Sequence, residues 1–188
     1  MEATLAGKAF QPASAERNDL RNKLALALWK LGEREAGTLS LQRAAEAFEA
    51  MLADLPPAYS SVDRAIVENN LGVVRMTIGQ REAGTRNLDL AISAFELALK
   101  AFDLNETPFN WIMSQNNLGQ ALRYRGERES GIETLHRSVA AFRAALSVLP
   151  RKDMPLHWAS TTSNLGMALW RLGEREPGST SLDEAASA

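Results

Sequence analysis

The chain has 188 residues, 45% of them hydrophobic and 23% charged, so it has the apolar content to form a core and the charge of an ordinary globular protein. Its formal net charge is −2, from 21 basic and 23 acidic side chains with no Lys/Arg run, which argues against a nucleic-acid partner, since phosphate neutralisation favours a clear basic excess. Cysteine is absent, and with it disulfides, thiolate nucleophiles and zinc–thiolate sites. No apolar run reaches the roughly 18 residues that a membrane helix needs. The first twelve residues, with Lys8 inside a weakly apolar segment, lack the basic-then-apolar order of a signal peptide. The expectation is a cytoplasmic protein with no membrane partner.

A repeat sets the order of the predicted elements. The pattern Gly-x-Arg-Glu-x-Gly opens at Gly32, Gly79, Gly126 and Gly173, each 47 residues after the last. Two further markers keep that register: Asn70-Leu71-Gly72, Asn117-Leu118-Gly119 and Asn164-Leu165-Gly166, and the phenylalanines Phe48, Phe95 and Phe142. Self-similarity at a fixed period of this size is the mark of a stacked repeat architecture. Taken in chain order, residues 1–13 read as the tail of a preceding second helix and a linker, because Glu2-Ala3-x-Leu5 aligns with Glu49-Ala50-x-Leu52. Helix pairs follow over 14–60, 61–107 and 108–154, and a partial fourth over 155–188.

Within a unit, the second copy shows the expected layout. A first helix over about Ser61 to Ile78 is expected to close at Gly79 in a left-handed turn. A second helix is expected to begin near Glu82, where the aligned Glu35, Glu82, Glu129 and Glu176 would suit the positive end of the helix dipole. Pro177 in the fourth copy supports that start. Leu88, Ala91, Phe95 and Leu99 then fall at steps of three, four and four on one helical face. The counterparts are Leu41, Ala44, Phe48 and Leu52, and Leu135, Ser138, Phe142 and Leu146. Short links lie at Leu104 to Pro108 and Pro150 to Pro155; Pro108 and Pro155 are expected to open the next helices, with Trp111 and Trp158 packing over those starts.

The Leu-Gly pairs with a small residue thirteen positions after the leucine resemble the tetratricopeptide (TPR) pattern: Leu71-Gly72 with Gly84, Leu118-Gly119 with Gly131, Leu165-Gly166 with Gly178, and more weakly Leu24-Ala25 with Gly37. The resemblance covers nearly the whole chain. It departs from the family in its 47-residue unit, against about 34 residues. The aromatic expected before Leu-Gly is replaced by Arg21, Glu68, Gln115 and Thr162, and the one just after by Leu28, Arg75, Leu122 and Leu169. The resemblance implies an all-α fold, a right-handed superhelical solenoid of antiparallel helix pairs, whose first helices line a concave groove that takes an extended peptide or a partner helix.

The family position facing that groove falls on Asn70, Asn117 and Asn164, with Lys23 in the first copy; the residues before them are Asn69 and Asn116, with Asn22 and Ser163. This looks like the asparagine ladder of peptide-binding members, including the kinesin light-chain type. A carboxamide offers both donors and an acceptor, so it can pair with a peptide backbone whatever its side chains. The same asparagines could instead bridge neighbouring helices, or each pair could divide the two roles. The next turn of this face carries Leu26, Trp29 and Lys30, then Val73, Met76 and Thr77, then Gln120, Arg123 and Tyr124, then Met167, Trp170 and Arg171. These vary where the scaffold does not, as a recognition surface would; Arg123, Tyr124 and Trp170 are of the types that anchor interfaces. Trp29 and Trp170 could equally cover core at the two ends. The recurring Arg34, Arg81, Arg128 and Arg175 would suit an acidic ligand, but read better as a repeated salt bridge or carbonyl cap between units.

Neither His136 nor His157 has a partner at metal spacing, and the chain holds neither a Gly-x-Ser-x-Gly elbow nor a phosphate loop. Carboxylate pairs such as Glu127 and Glu129 recur with the scaffold. No catalytic, metal or cofactor site is expected, and the chain is read as a scaffold rather than an enzyme. Its partner is expected to be a protein or peptide held in the groove. The alternatives are a self-assembling structural module, whose two ends complement one another head to tail, and a regulatory segment of a larger signalling protein.

Overall fold

A computed structural model describes residues 14–55, 59–176, 178 and 180–187. The described residues form eight α-helices and no strand. Their bounds are α1 Ser14–Arg34, α2 Leu39–Ala53, α3 Ser61–Arg81, α4 Arg86–Ala101, α5 Pro108–Gly126, α6 Glu133–Val148, α7 Pro155–Gly173 and α8 Thr180–Ser187. Each helix packs on the next in chain order, and α3 also touches α5, as α5 touches α7. This is consistent with an α solenoid. The segment before Ser14, where the tail of a preceding second helix was placed, lies outside the described residues.

Local chemistry accounts for several helix starts. Ser60 and Asp63 form a reciprocal capping box at α3, so that two amides without intrahelical partners are satisfied. Pro108 and Pro155 stand in the first turns of α5 and α7, where a missing amide costs nothing. Trp111 packs beside Phe102 and Ile112, and Trp158 beside Ile112 and Leu149, so both do cover the links between units.

The predicted close of the first helix needs correction. Gly79 does not stop α3, which continues to Arg81. Among the described glycines only Gly178 takes a left-handed backbone, at φ +117°. Gly79 serves a close approach instead: a Cβ there would stand 2.7 Å from Leu88 Cδ2 and 3.2 Å from the Leu88 amide nitrogen. The second helix likewise begins at Arg86, four residues later than expected, and Glu82 caps the end of α3. Its carboxylate spans the turn and accepts from Asn87 Nδ2 at 2.7 Å. Glu129 accepts from the Thr134 hydroxyl at 2.6 Å and Glu176 from Ser181 at 2.7 Å in the same way. These glutamates tie the turn to the second helix by hydrogen bonds. Pro177 lies outside the described residues.

The core follows the period-47 register. Phe48, Phe95 and Phe142 are fully buried, as are Leu41, Leu88 and Leu135. The edge of the Phe95 ring lies over Gly72 and that of Phe142 over Gly119; a Cβ on either glycine would stand 2.6 and 2.8 Å from the ring. Ser138, which replaces the alanine of this row, donates to the Gly119 carbonyl at 2.7 Å and so buries its hydroxyl without loss.

The arginine of the repeated motif staples each unit to the one before. Arg81 Nη1 donates to the carbonyls of Gly32, Glu35 and Gly37 at 2.9, 2.9 and 2.7 Å. Arg128 reaches Gly79 and Gly84, both at 2.6 Å, and Arg175 reaches Gly126 at 2.8 Å, Gly131 at 3.1 Å and Glu127 at 3.3 Å. Carbonyls at a helix C-terminus lack intrahelical partners and carry partial negative charge, so a guanidinium satisfies both needs. Both outer glycines of each of the first three motifs thus present a carbonyl to the next unit's arginine.

Candidate functional site

The serial contact of α3, α5 and α7 brings the predicted asparagines into one row. Asn69 Oδ1 accepts from Ser114 Oγ at 2.8 Å and from Asn117 Nδ2 at 3.4 Å. One unit on, Asn116 Oδ1 accepts from Asn164 Nδ2 at 3.3 Å. The first asparagine of each pair therefore receives the second asparagine of the next unit. Asn116 is buried, while Asn69, Asn70, Asn117 and Asn164 are half-buried. Asn70 borders a small hollow of about 190 Å³ together with Asp19, Asn22 and Ile66. Among the described residues its carboxamide makes no hydrogen bond to a neighbouring helix.

The remaining predicted residues divide. Arg123 is buried, donates to Glu127 at 2.6 Å and lies over the half-buried Tyr124 ring at 4.2 Å. Its Nε is buried with no partner. Little of this guanidinium is left to meet a ligand. Arg171 completes the cluster: it donates to Glu174 at 3.2 Å and Glu127 at 3.4 Å and sits over the Trp170 ring at 4.6 Å. The Glu174 hydrogen bond is the largest influence and outweighs desolvation, and with the negative charges of Glu127 and Glu174 it holds the Arg171 pKa above the ordinary arginine value. Trp170 is half exposed. Trp29, by contrast, packs onto the core beneath α1 and α2.

An apolar cleft of about 680 Å³ at α7 and α8 was not among the predicted features. Trp158, Thr162, Gly166, Met167, Trp170 and Leu182 line it. Gly166 holds the place that Gly72 and Gly119 hold in the second and third units, where the rings of Phe95 and Phe142 fill the space. Among the described residues no phenylalanine fills it in the fourth unit. The Thr162 hydroxyl beside the cleft is buried without a hydrogen-bond partner.

Two carboxylates report their surroundings. Burial raises the Glu68 pKa against a weaker opposing effect from Arg64, whose Nη2 lies 3.7 Å away. Asp54 moves the other way, lowered by its hydrogen bond from Arg21 at 2.5 Å, then by the Arg21 charge. His136 Nε2 lies 2.8 Å from Glu176, and His157 meets the Phe109 ring edge-on at 5.9 Å. Among the described residues no three His, Cys, Asp or Glu side chains gather as metal ligands, and no helix is long and apolar enough to cross a membrane. What this surface offers is carboxamide donors and acceptors in a row and an apolar, tryptophan-lined cleft at one end. No protein-family model matches the chain, and no curated protein matches it either.

Proposed function

We propose that the chain is a tetratricopeptide-like binding scaffold that holds an extended peptide or a partner helix against its first helices. In this reading antiparallel helix pairs wind into a right-handed superhelix, and α1, α3, α5 and α7 line its concave side. The observation that carries it is the row Asn70, Asn117 and Asn164, one half-buried carboxamide on each of α3, α5 and α7 at a constant sequence interval. Asn117 and Asn164 each spend one amide hydrogen on a neighbouring helix, at 3.4 and 3.3 Å. Each keeps its carbonyl and a second hydrogen, and that capacity suits a peptide backbone. Tyr124 and the half-exposed Trp170 add apolar contact beside the row. The partner is a protein or peptide; no catalytic step, cofactor, nucleic acid or membrane enters this function, and the site of action is the cytoplasm.

A structural reading of the same row draws on the same two bonds, which tie α3 to α5 and α5 to α7. One experiment separates the two readings. Peptides captured by the native chain are titrated against a variant with Asn70→Ala, Asn117→Ala and Asn164→Ala together, each protein checked for helicity. Loss of one ordinary net hydrogen bond per site predicts a cost of roughly 1.5–4.5 kcal/mol, or about ten- to a thousandfold in Kd. Equal binding by a folded variant, or a variant that melts earlier without losing its peptide, assigns the row to the scaffold.

A further inference from the structure

The carboxamide bonds between first helices are missing at one junction. Asn69 accepts from Asn117 at 3.4 Å and Asn116 from Asn164 at 3.3 Å, joining α3 to α5 and α5 to α7. The same residue types stand in register on α1 and α3, at Asn22 and Asn70. Among the described residues no hydrogen bond joins them. A difference in sequence accompanies the gap: Ser114, which donates to Asn69 at 2.8 Å, has Val67 as its counterpart in α3. Valine has no hydroxyl with which to hold Asn22. The hollow of about 190 Å³ beside Asn70 lies at this unbonded junction. It sits between two helices that are both in place, with α2 packed on each of them.

The lining of the hollow also differs from the later junctions. Among the described residues that line it, the charged groups are Asp19 and Asp63. Asp19 gives way to Ile66, Met113 and Ser160 in α3, α5 and α7, and Asp63 to Asn110 and His157 in α5 and α7. Scaffold features recur every 47 residues, whereas this pair occurs once. Each carboxylate is only partly used. Asp19 Oδ2 accepts from Lys23 at 2.7 Å in an exposed pair one turn apart, a weak and solvent-screened contact. Asp63 Oδ2 accepts from the Ser60 amide at 3.1 Å and its hydroxyl at 2.7 Å within the capping box. A carboxylate has about four acceptor sites, so both keep capacity for a donor. The buried Met51 and Val67 add an apolar wall and Tyr59 an aromatic ring. Such walls suit a methylene stem, and carboxylates and a ring suit the cation at its tip.

We infer that, given a peptide held on the asparagine row as proposed above, a lysine side chain of that peptide enters the hollow between α1 and α3. Its methylene stem lies against Met51 and Val67, and its ammonium donates to Asp19 and Asp63. Asn70 borders the same hollow, so its free carboxamide meets the peptide backbone beside that lysine. The row reads backbone and is indifferent to side chains; the hollow supplies the selection for a basic one. Lys23 gives up part of its contact with Asp19, which costs little at an exposed pair.

The test is an NMR titration of the full 15N-labelled chain with N-acetyl-lysine N-methylamide, and with its norleucine and glutamate analogues at the same ionic strength. These probes reach the hollow without needing the asparagine row. The lysine form is expected to shift the amides of Tyr59, Asp63 and Asn70 in a saturable way, and the other two are not. Asp19→Asn and Asp63→Asn should each weaken the lysine probe about two- to fivefold, and about tenfold together, with helicity unchanged. Asparagine at position 63 keeps an oxygen for the Ser60 cap while losing the charge. Glu133→Gln, at an exposed carboxylate of α6, should leave the titration as it is. Absence of a saturable shift, equal shifts from lysine and norleucine, or a lysine response that survives both aspartate variants would each overturn the inference. The two readings fail separately. Lysine-specific shifts together with peptide binding that ignores the triple asparagine variant would keep the hollow and discard the row; the reverse pair of results would keep the row and discard the hollow.

Discussion

The second and fourth units share the same motif residues but differ in how they are closed. In the second, α3 and α4 meet with the Phe95 ring on Gly72, and Arg128 from the next unit seals the carbonyls of Gly79 and Gly84. In the fourth, Gly166 borders an open cleft, Leu182 is partly exposed, and Gly178 takes the left-handed backbone that Gly37, Gly84 and Gly131 avoid. A motif in a stacked array is therefore only half of a contact. The other half comes from a neighbour, and identical residues are core or surface according to whether that neighbour is in place.

The largest expected effect comes from making the second unit resemble the fourth. Phe95→Ala should open a cleft over Gly72 and cost about 3–5 kcal/mol, as removal of a buried aromatic ring does. Denaturant unfolding would measure it, and a cost below about 1 kcal/mol would mean that the unit closes without its ring.

Gly72→Ala approaches the same contact from the other side. The added methyl would lie 2.6 Å from the Phe95 ring, so the helices must part or the ring must turn, at about 1–3 kcal/mol. Gly84→Ala meets open space and an ordinary backbone. It should instead stabilise by about 0.4–1 kcal/mol through the unfolded chain. Opposite signs at two glycines of one unit would separate glycines kept for packing from those kept for chain freedom; like signs would remove that distinction.

The staples give the next contrast. Arg128→Met should cost about 1.5–3 kcal/mol, because carbonyls that a guanidinium satisfied are left buried or exposed to water. Arg34→Met should stay within about 0.5 kcal/mol of the native chain, since among the described residues it makes no such bond. Equal losses at both sites would show that Arg34 has a role within its own unit.

The smallest effect concerns Glu68. Burial raises its pKa in the folded chain, so the folded state holds this proton to higher pH than the unfolded state does. The group's contribution to stability is full below the ordinary glutamate pKa and is lost as pH rises through the folded value. Glu68→Gln should remove that decline, raising Tm at neutral pH by about 1–2 °C and flattening its pH dependence across the carboxylate range. A Tm that falls at neutral pH would show that the Arg64 ion pair at 3.7 Å outweighs burial.

The unit length, the helix-pair content and the core phenylalanines were legible in the amino-acid order because they are periodic. A residue that recurs every 47 positions on one helical face points to one environment whatever the tertiary details. The proline starts of α5 and α7 were legible for a local reason: a ring without an amide hydrogen fits a first turn and little else in a helix. Where two elements must meet, sequence alone could not decide. Gly79 looked like a helix end, but it is a contact point for Leu88, a distinction made by the distance between α3 and α4. Arg123 looked like a ligand anchor; burial beside Glu127 draws it inward, because a cation in the interior needs its counter-charge. The asparagine row was visible as a spacing, and the partners of its carboxamides emerged only from the packing of α3, α5 and α7. Periodicity fixes which residues share a face, since it depends on the helix alone. What covers that face depends on which neighbour comes within a few ångströms, and only the tertiary structure decides that.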